Sequence, residues 1–177
     1  RCLTRLLNSP GNFTASKLAW VKDQESEIYR RIHKFMLPGD FIAWKMTGEV
    51  CTTASGLSEG ILWDFVDGRV ADFVLDHYGI SRDLAPQVVG TFAVQGHLTR
   101  GAAETLGLPA GIPLAYRAGD QPNNAFSLNV LHPGEIAATA GTSGVVYGVS
   151  GRAVHDPRSR VNTFLHVNHA PDRPRYG

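Results

Sequence analysis

Apolar side chains recur at helical spacing near the start of the chain. Leu18, Val21, Ile28 and Ile32 follow at intervals that keep them on one face, which predicts a helix over residues 13–31. Shorter helices are predicted where turn-forming and capping residues frame an apolar run, over residues 41–46, 70–77, 100–106 and 121–130. Residues 52–60 are small and polar without a clear period, so we expect a loop there.

Short apolar runs of strand character become frequent in the second half of the chain. Strands are predicted over residues 94–98, 112–118, 135–140, 145–149 and 161–167. Helices that alternate with strands indicate an α/β fold. The run His132-Pro133-Gly134 separates a helix-rich part from a strand-rich part, so we expect a domain boundary there, with one domain over 1–132 and the next beginning at 133–177.

Composition excludes several classes of protein. The chain has 177 residues and a formal net charge of +1, which argues against a nucleic-acid partner and against a polybasic membrane binder. No apolar run approaches the roughly 20 residues of a membrane span. The two cysteines, Cys2 and Cys51, form neither a disulfide framework nor a metal-binding spacing, and the histidines lack paired ligand spacing. We therefore expect a cytoplasmic protein without a metal site of its own.

Asp120 is the first candidate for chemistry. Gly119 ends the predicted strand 112–118, and Asp120 follows where a helix cap is expected, with Pro122 in the first turn. A carboxylate at a strand end faces the crevice where α/β proteins bind ligands. There it can accept the proton of an attacking hydroxyl, as phosphoryl transfer requires. The alternative is a plain N-cap that contributes about 1 kcal/mol, and position alone leaves both interpretations open.

The amides beside Asp120 suit a polyhydroxylated ligand. Gln121, Asn123 and Asn124 offer both donors and acceptors, which sugar hydroxyls need. Gln121 is the substrate-binding candidate because it adjoins Asp120. For each of the three, an ordinary polar first turn of a helix is the alternative.

A Gly-Thr-Ser-Gly turn lies about twenty residues after Asp120. Gly141, Thr142 and Ser143 lie between two predicted strands, and their N–H groups and hydroxyls can hold a phosphate. The turn lacks the Gly-Lys-Ser/Thr ending of a Walker loop, and a plain hairpin turn is the alternative. A carboxylate and a phosphate cradle together suggest phosphoryl transfer to a hydroxyl.

Three separated motifs connect the chain to a known family. The first is Lys17-Leu18-Ala19-Trp20, and the second is the block formed by residues 37–41, 46–49 and 52–56. The third combines residues 118–121 with residues 140–144. In these motifs the chain resembles the FGGY carbohydrate kinases, and among them the xylulokinases, over nearly its whole length.

The resemblance implies an actin-like, ribonuclease-H-like ATPase fold in which two domains close over a cleft. It implies that Asp120 is the general base for a terminal sugar hydroxyl and that Gln121 lies against the sugar. Gly141, Thr142 and Ser143 would hold the phosphates of ATP, and Mg²⁺ would arrive with the nucleotide. The expected product is a phosphorylated ketopentose such as xylulose 5-phosphate. A homodimer is left open.

The chain departs from the family pattern at both ends. It has neither the Asp-x-Gly-Thr phosphate hairpin nor the later Gly-Gly-Gly segment that binds adenosine. We therefore expect a partial fold: the later part of the first kinase domain over 1–132 and the opening hairpin of the second over 133–177, inactive alone. The alternatives are a non-catalytic actin-like module that binds sugar or nucleotide, and an unrelated α/β domain. In a kinase, Asp120 and Thr142 must face one cleft.

Overall fold

The computed structural model describes residues 1–142 and 144–177, so Ser143, one of the predicted phosphate-binding residues, lies outside the described residues. The helices are α1 (Cys2–Arg5), α2 (Thr14–Gln24), α3 (Ser26–Tyr29), α4 (Pro38–Thr47), α5 (Ala54–Glu59), α6 (Asp72–His77), α7 (Arg100–Leu106) and α8 (Asp120–Ser127). The strands are β1 (Cys51–Thr53), β2 (Trp63–Asp64), β3 (Arg69–Val70), β4 (Gln87–Val89), β5 (Ile136–Ala140) and β6 (Gly144–Gly148).

The strands form three two-stranded pairs among the described residues. β1 pairs with β4 in parallel, whereas β2 with β3 and β5 with β6 are antiparallel. The β5–β6 pair is the predicted hairpin, with Ile136 opposite Gly148 and Ala140 opposite Gly144. Helices and strands are interspersed along the chain after α4, in agreement with the predicted α/β class.

The predicted helix over residues 13–31 is two helices. The backbone leaves the helical conformation at Glu25, with φ −128° and ψ 51°, so α2 ends there and α3 begins at Ser26. Residues 23–28 are exposed, and an exposed short helix has little tertiary packing to stabilise it.

Four other predicted elements differ from the structure. Residues 94–98 are not a strand, because only an isolated bridge between His97 and Pro113 forms there. Residues 52–60 are not a loop, because they form the end of β1 and then α5, whose backbone is buried despite its small polar residues. Residues 112–118 are not a regular strand, since Pro113 has no N–H to donate and only isolated bonds join this segment to residues 95–98. Residues 161–167 likewise form only a bridge, between Leu165 and Tyr176.

Two apolar clusters meet around α5 and α8. The larger contains Leu18, Leu57, Leu75 and, from near the end of the chain, Phe164. The smaller lies under the hairpin and includes Ala125, Ala137, Tyr147 and Val149. Leu57 of α5 belongs to the first cluster and Ala125 of α8 to the second.

Candidate active site

One face of α5 is polar and buried. Ser55, Ser58 and Glu59 lie three and four residues apart, which places them on the same side of the helix. The Ser58 hydroxyl donates to the Ser55 carbonyl at 2.8 Å and accepts the Leu165 N–H at 2.9 Å. These bonds fasten α5 to the segment near the end of the chain.

The same face holds the start of α8. The Glu59 carboxylate accepts the N–H of Asp120 at 2.7 Å and the N–H of Gln121 at 3.0 Å. The Ser55 hydroxyl accepts the N–H of Gly119 at 3.4 Å. A Cβ at Gly119 would overlap the Glu59 carboxylate in its observed position, so a larger residue at 119 would displace that carboxylate.

The position of Asp120 corrects the prediction that it caps the helix. Gly119 is the N-cap, Asp120 is the first residue of α8, and no side chain of the N-cap residue bonds the helix. Glu59 of α5 takes that role instead, because its two oxygens accept two of the unpaired N–H groups at the helix start. The side chain of Asp120 is exposed, which suits a group that meets a ligand.

Glu59 and Asp120 form a pair of interacting carboxyl groups. Burial, and after it the neighbouring Asp120 side chain, raise the pKa of Glu59 to about 7. Near neutral pH, Glu59 is therefore protonated in a substantial fraction of molecules.

Asp120 and Glu59 line two cavities. One has a volume of about 520 Å³, and Gln121 and Tyr147 also line it, together with residues 161–164. The other, of about 590 Å³, includes Lys17 and Arg117 in its lining. Both volumes fall in the range of small-molecule sites.

A buried pair, Tyr147 and His166, stands beside the first cavity. The Tyr147 hydroxyl and His166 Nδ1 are 3.0 Å apart. Burial raises the pKa of Tyr147 and lowers the pKa of His166, so both groups favour their neutral forms. Sequence reasoning assigned no role to His166, because the histidines lacked metal-ligand spacing.

The remaining predicted site residues are placed as follows. Gln121 is partly buried at the start of α8, and the Asn123 Oδ1 accepts the Tyr116 hydroxyl at 2.8 Å. Gly141 and Thr142 are exposed between β5 and β6. Within the part of the chain that the structure describes, the hairpin contributes β6 residues to the cavity of Asp120. That Asp120 and Thr142 share a cleft stays a prediction.

Sequence reasoning missed Arg117 and Asp40. Arg117 Nε lies 3.1 Å from Asp40 Oδ1, and its Nη2 donates to the Cys51 carbonyl at 2.8 Å. Asp40 Oδ2 also accepts the Leu37 N–H at 3.1 Å. Burial raises the pKa of Asp40, while Arg117 acts in the opposite direction. The available signal was one arginine in an otherwise apolar run, because a buried charge needs a partner.

Sequence reasoning also missed Glu59. Its signal is an acidic residue at the C-terminal end of a helix, where the helix dipole disfavours negative charge. That signal was invisible while residues 52–60 were predicted to be a loop.

Two kinds of feature, a metal-binding cluster and a membrane-spanning helix, were sought in residues 1–142 and 144–177. Within these ranges, no cluster of three or more His, Cys, Asp or Glu side chains could hold a metal ion. In the same ranges, no helix has both the length and the apolar character that crossing a membrane would need.

Comparison with known proteins gives consistent matches. Residues 2–127 match the N-terminal domain of the FGGY family of carbohydrate kinases. The xylulose kinase of Escherichia coli strain K12 is 34% identical over 168 residues, which are 94% of this chain and 34% of that protein.

Solved structures agree with the sequence match. A xyloylose kinase from Brucella ovis is 30% identical with a TM-score of 0.85, and the match covers 99% of this chain and 36% of that one. The xylulose kinase from Rhodospirillum rubrum is 26% identical with a TM-score of 0.87. That match covers 99% of this chain and 35% of the other. The chain thus spans about a third of the length of the relatives it matches.

These matches confirm the predicted fold class, a partial α/β actin-like ATPase fold. The family match covers well over half of the chain, and the predicted motifs fall inside or directly after it. The chain therefore belongs to the FGGY family of carbohydrate kinases.

Proposed function

We propose that this chain is an internal segment of an ATP-dependent sugar kinase in which Asp120 is the general base. The observation that carries the proposal is the exposed Asp120 carboxylate beside a cavity, at a helix start whose N–H groups are already bound by Glu59. Because Glu59 satisfies the helix end, the Asp120 side chain remains available for chemistry.

The reaction is transfer of the γ-phosphoryl group of ATP to a sugar hydroxyl. Asp120 accepts the hydroxyl proton while the hydroxyl oxygen forms a bond to the γ-phosphorus. The bond from that phosphorus to the bridging oxygen breaks, and ADP leaves with the electron pair. The names of the relatives support D-xylulose as the sugar and xylulose 5-phosphate as the product.

The remaining roles belong to the same proposal. Gln121 contacts the sugar, and Gly141, Thr142 and Ser143 hold phosphates of ATP. Mg²⁺ accompanies the nucleotide. Residues 1–132 are the later part of the N-terminal kinase domain and 133–177 open the C-terminal one. The kinase works in the cytoplasm, and this segment alone is inactive.

The test is Asp120→Asn in the full-length protein that contains this chain. We expect sugar-dependent ATP consumption, measured with a panel of ketoses and polyols, to fall about 100- to 10,000-fold, because the amide cannot take up the proton. Asp76→Asn is the matched control, since Asp76 is an exposed residue of α6. It should retain wild-type turnover.

Each other outcome rejects part of the proposal. Unchanged turnover in Asp120→Asn would mean that Asp120 is not the base. A wild type that binds sugar or nucleotide but transfers no phosphate would support the non-catalytic module. Turnover with a sugar other than D-xylulose would correct the substrate alone.

A further inference from the structure

Glu59 occupies a position that is costly unless it is compensated. It is the last residue of α5, where the helix dipole opposes a negative charge, and it is partly buried. Two hydrogen bonds from the start of α8 compensate this cost, one from Asp120 itself and one from Gln121.

We propose that Glu59 is the positioning residue of the kinase: it fixes the turn Gly119–Gln121 and thereby aims the Asp120 carboxylate at the sugar hydroxyl. This inference rests on the proposed function of Asp120. It assigns to Glu59 a role in the orientation of the base and no contact with the reacting atoms.

The contacts restrict the turn in two ways. Two oxygens of one carboxylate bind two successive N–H groups, so the turn cannot rotate without loss of at least one bond. Gly119 brings the backbone close enough for this, because any Cβ there would overlap the carboxylate. A small displacement of a catalytic group reduces rates strongly, since the reacting atoms must be aligned.

The position of Glu59 on α5 makes it rigid. Ser58, the residue before it, is fully buried and bonded to both the Ser55 carbonyl and the Leu165 N–H. The carboxylate therefore starts from a fixed backbone, as the support of a catalytic group should.

The charged and titratable groups around Glu59 come from five segments. Asp120 of α8 and Tyr147 of β6 are close enough to Glu59 to affect its charge. The Tyr147 hydroxyl is in turn hydrogen-bonded to His166 Nδ1. Lys17 of α2 and Arg117 line the second cavity together with Glu59. Since the pKa of Glu59 is raised to about 7, its ionisation should be visible in the pH dependence of turnover.

The experiment is Glu59→Gln in the full-length kinase, with Glu104→Gln on the exposed face of α7 as matched control. The amide of Gln offers one acceptor and a competing donor, so one of the two N–H bonds is lost. We expect kcat to fall about 10- to 100-fold with the KM for sugar little changed, because orientation of the base matters only in the transition state.

Two further readouts separate orientation from simple destabilisation. The kcat profile of the wild type should contain an ionisation near pH 7 that is missing in Glu59→Gln. Amide hydrogen exchange at Asp120 and Gln121 should become faster in the variant, while exchange in the β5–β6 hairpin stays unchanged.

A kcat of Glu59→Gln equal to that of the control overturns the inference, as does a lower kcat with an unchanged pH profile. If Glu59→Gln shows no cooperative melting, Glu59→Asp replaces it, because its shorter side chain cannot reach both N–H groups. Wild-type kcat in Glu59→Asp would then overturn the inference. A wild type that is inactive with every sugar rejects the proposed function, and this inference with it.

Discussion

Arg117 is a cation held almost completely away from water, three residues before the candidate base. Its guanidinium contacts Asp40 of α4 and the Cys51 carbonyl of β1, so one side chain joins the approach to Asp120 to two other elements. Removing one partner of a buried ion pair leaves the other charge uncompensated, which costs more than the pair itself contributes.

We therefore predict that Arg117→Met destabilises the protein by about 3 kcal/mol. Asp40 would remain buried, its pKa already raised by burial and no longer opposed by the arginine. Denaturant unfolding of the full-length protein measures the change. Arg30→Met is the control, because Arg30 and its partner Glu27 are exposed, and such pairs contribute about 0.5 kcal/mol. Equal effects of the two substitutions would contradict the prediction.

The sequence predicted some of these residues and missed others for a physical reason. Asp120 and Gln121 follow a glycine and begin a helix, and both signals are local. Glu59 lies 61 residues before Asp120, and Arg117 bonds Cys51 across 66 residues. Periodicity and capping rules describe neighbours in the chain, so they cannot reveal partners that only the fold brings together.

Helix α5 is the element that organises the site, although it is only six residues long. Its small and polar residues show no clear period, and Gly56 and two serines weaken its helical preference, so a loop was predicted. Thr53 starts it by accepting the Gly56 N–H at 3.1 Å, and burial between the core and the end of the chain stabilises it. Tertiary packing, and not the local helical preference of its residues, makes this segment helical.

For helix α5 we predict that Ser58→Ala lowers the free energy of unfolding by about 2 kcal/mol. The substitution leaves the buried Leu165 N–H without its acceptor. Thermal unfolding of the full-length protein, followed by circular dichroism, measures it, and Ser9→Ala at an exposed position provides the control. A melting temperature equal to that of the control would show that water or another group replaces the serine.

At the scale of the whole molecule, a residue near the beginning of the chain is hydrogen-bonded to one near its end. Asn8 donates to the Thr163 carbonyl at 2.7 Å and accepts the Thr163 N–H at 2.9 Å, across 155 residues. The actin-like fold was predicted from motif resemblance, because the hydrophobic pattern alone indicated only an α/β class. The long-range pairing of residues 8 and 163 had no sequence signal.

We predict that Asn8→Ala loosens the end of the described chain before it unfolds the rest. Two backbone groups of Thr163 would lose their partners at a buried position, at a cost of about 2 kcal/mol. Limited proteolysis should then cleave the exposed residues 157–162 faster than in the wild type. Asn124→Ala, an exposed site on α8, should cleave like the wild type, and an equally resistant Asn8→Ala would refute the prediction.

The fit between Gly119 and Glu59 has a consequence for protein engineering. A side chain at position 119 and the glutamate carboxylate at position 59 would occupy the same space, so the two positions should be varied together. Libraries that vary one position at a time would test larger residues at 119 only with the Glu59 carboxylate displaced. Paired libraries that also shorten residue 59 would recover such variants and reveal how far the base can be moved while turnover persists.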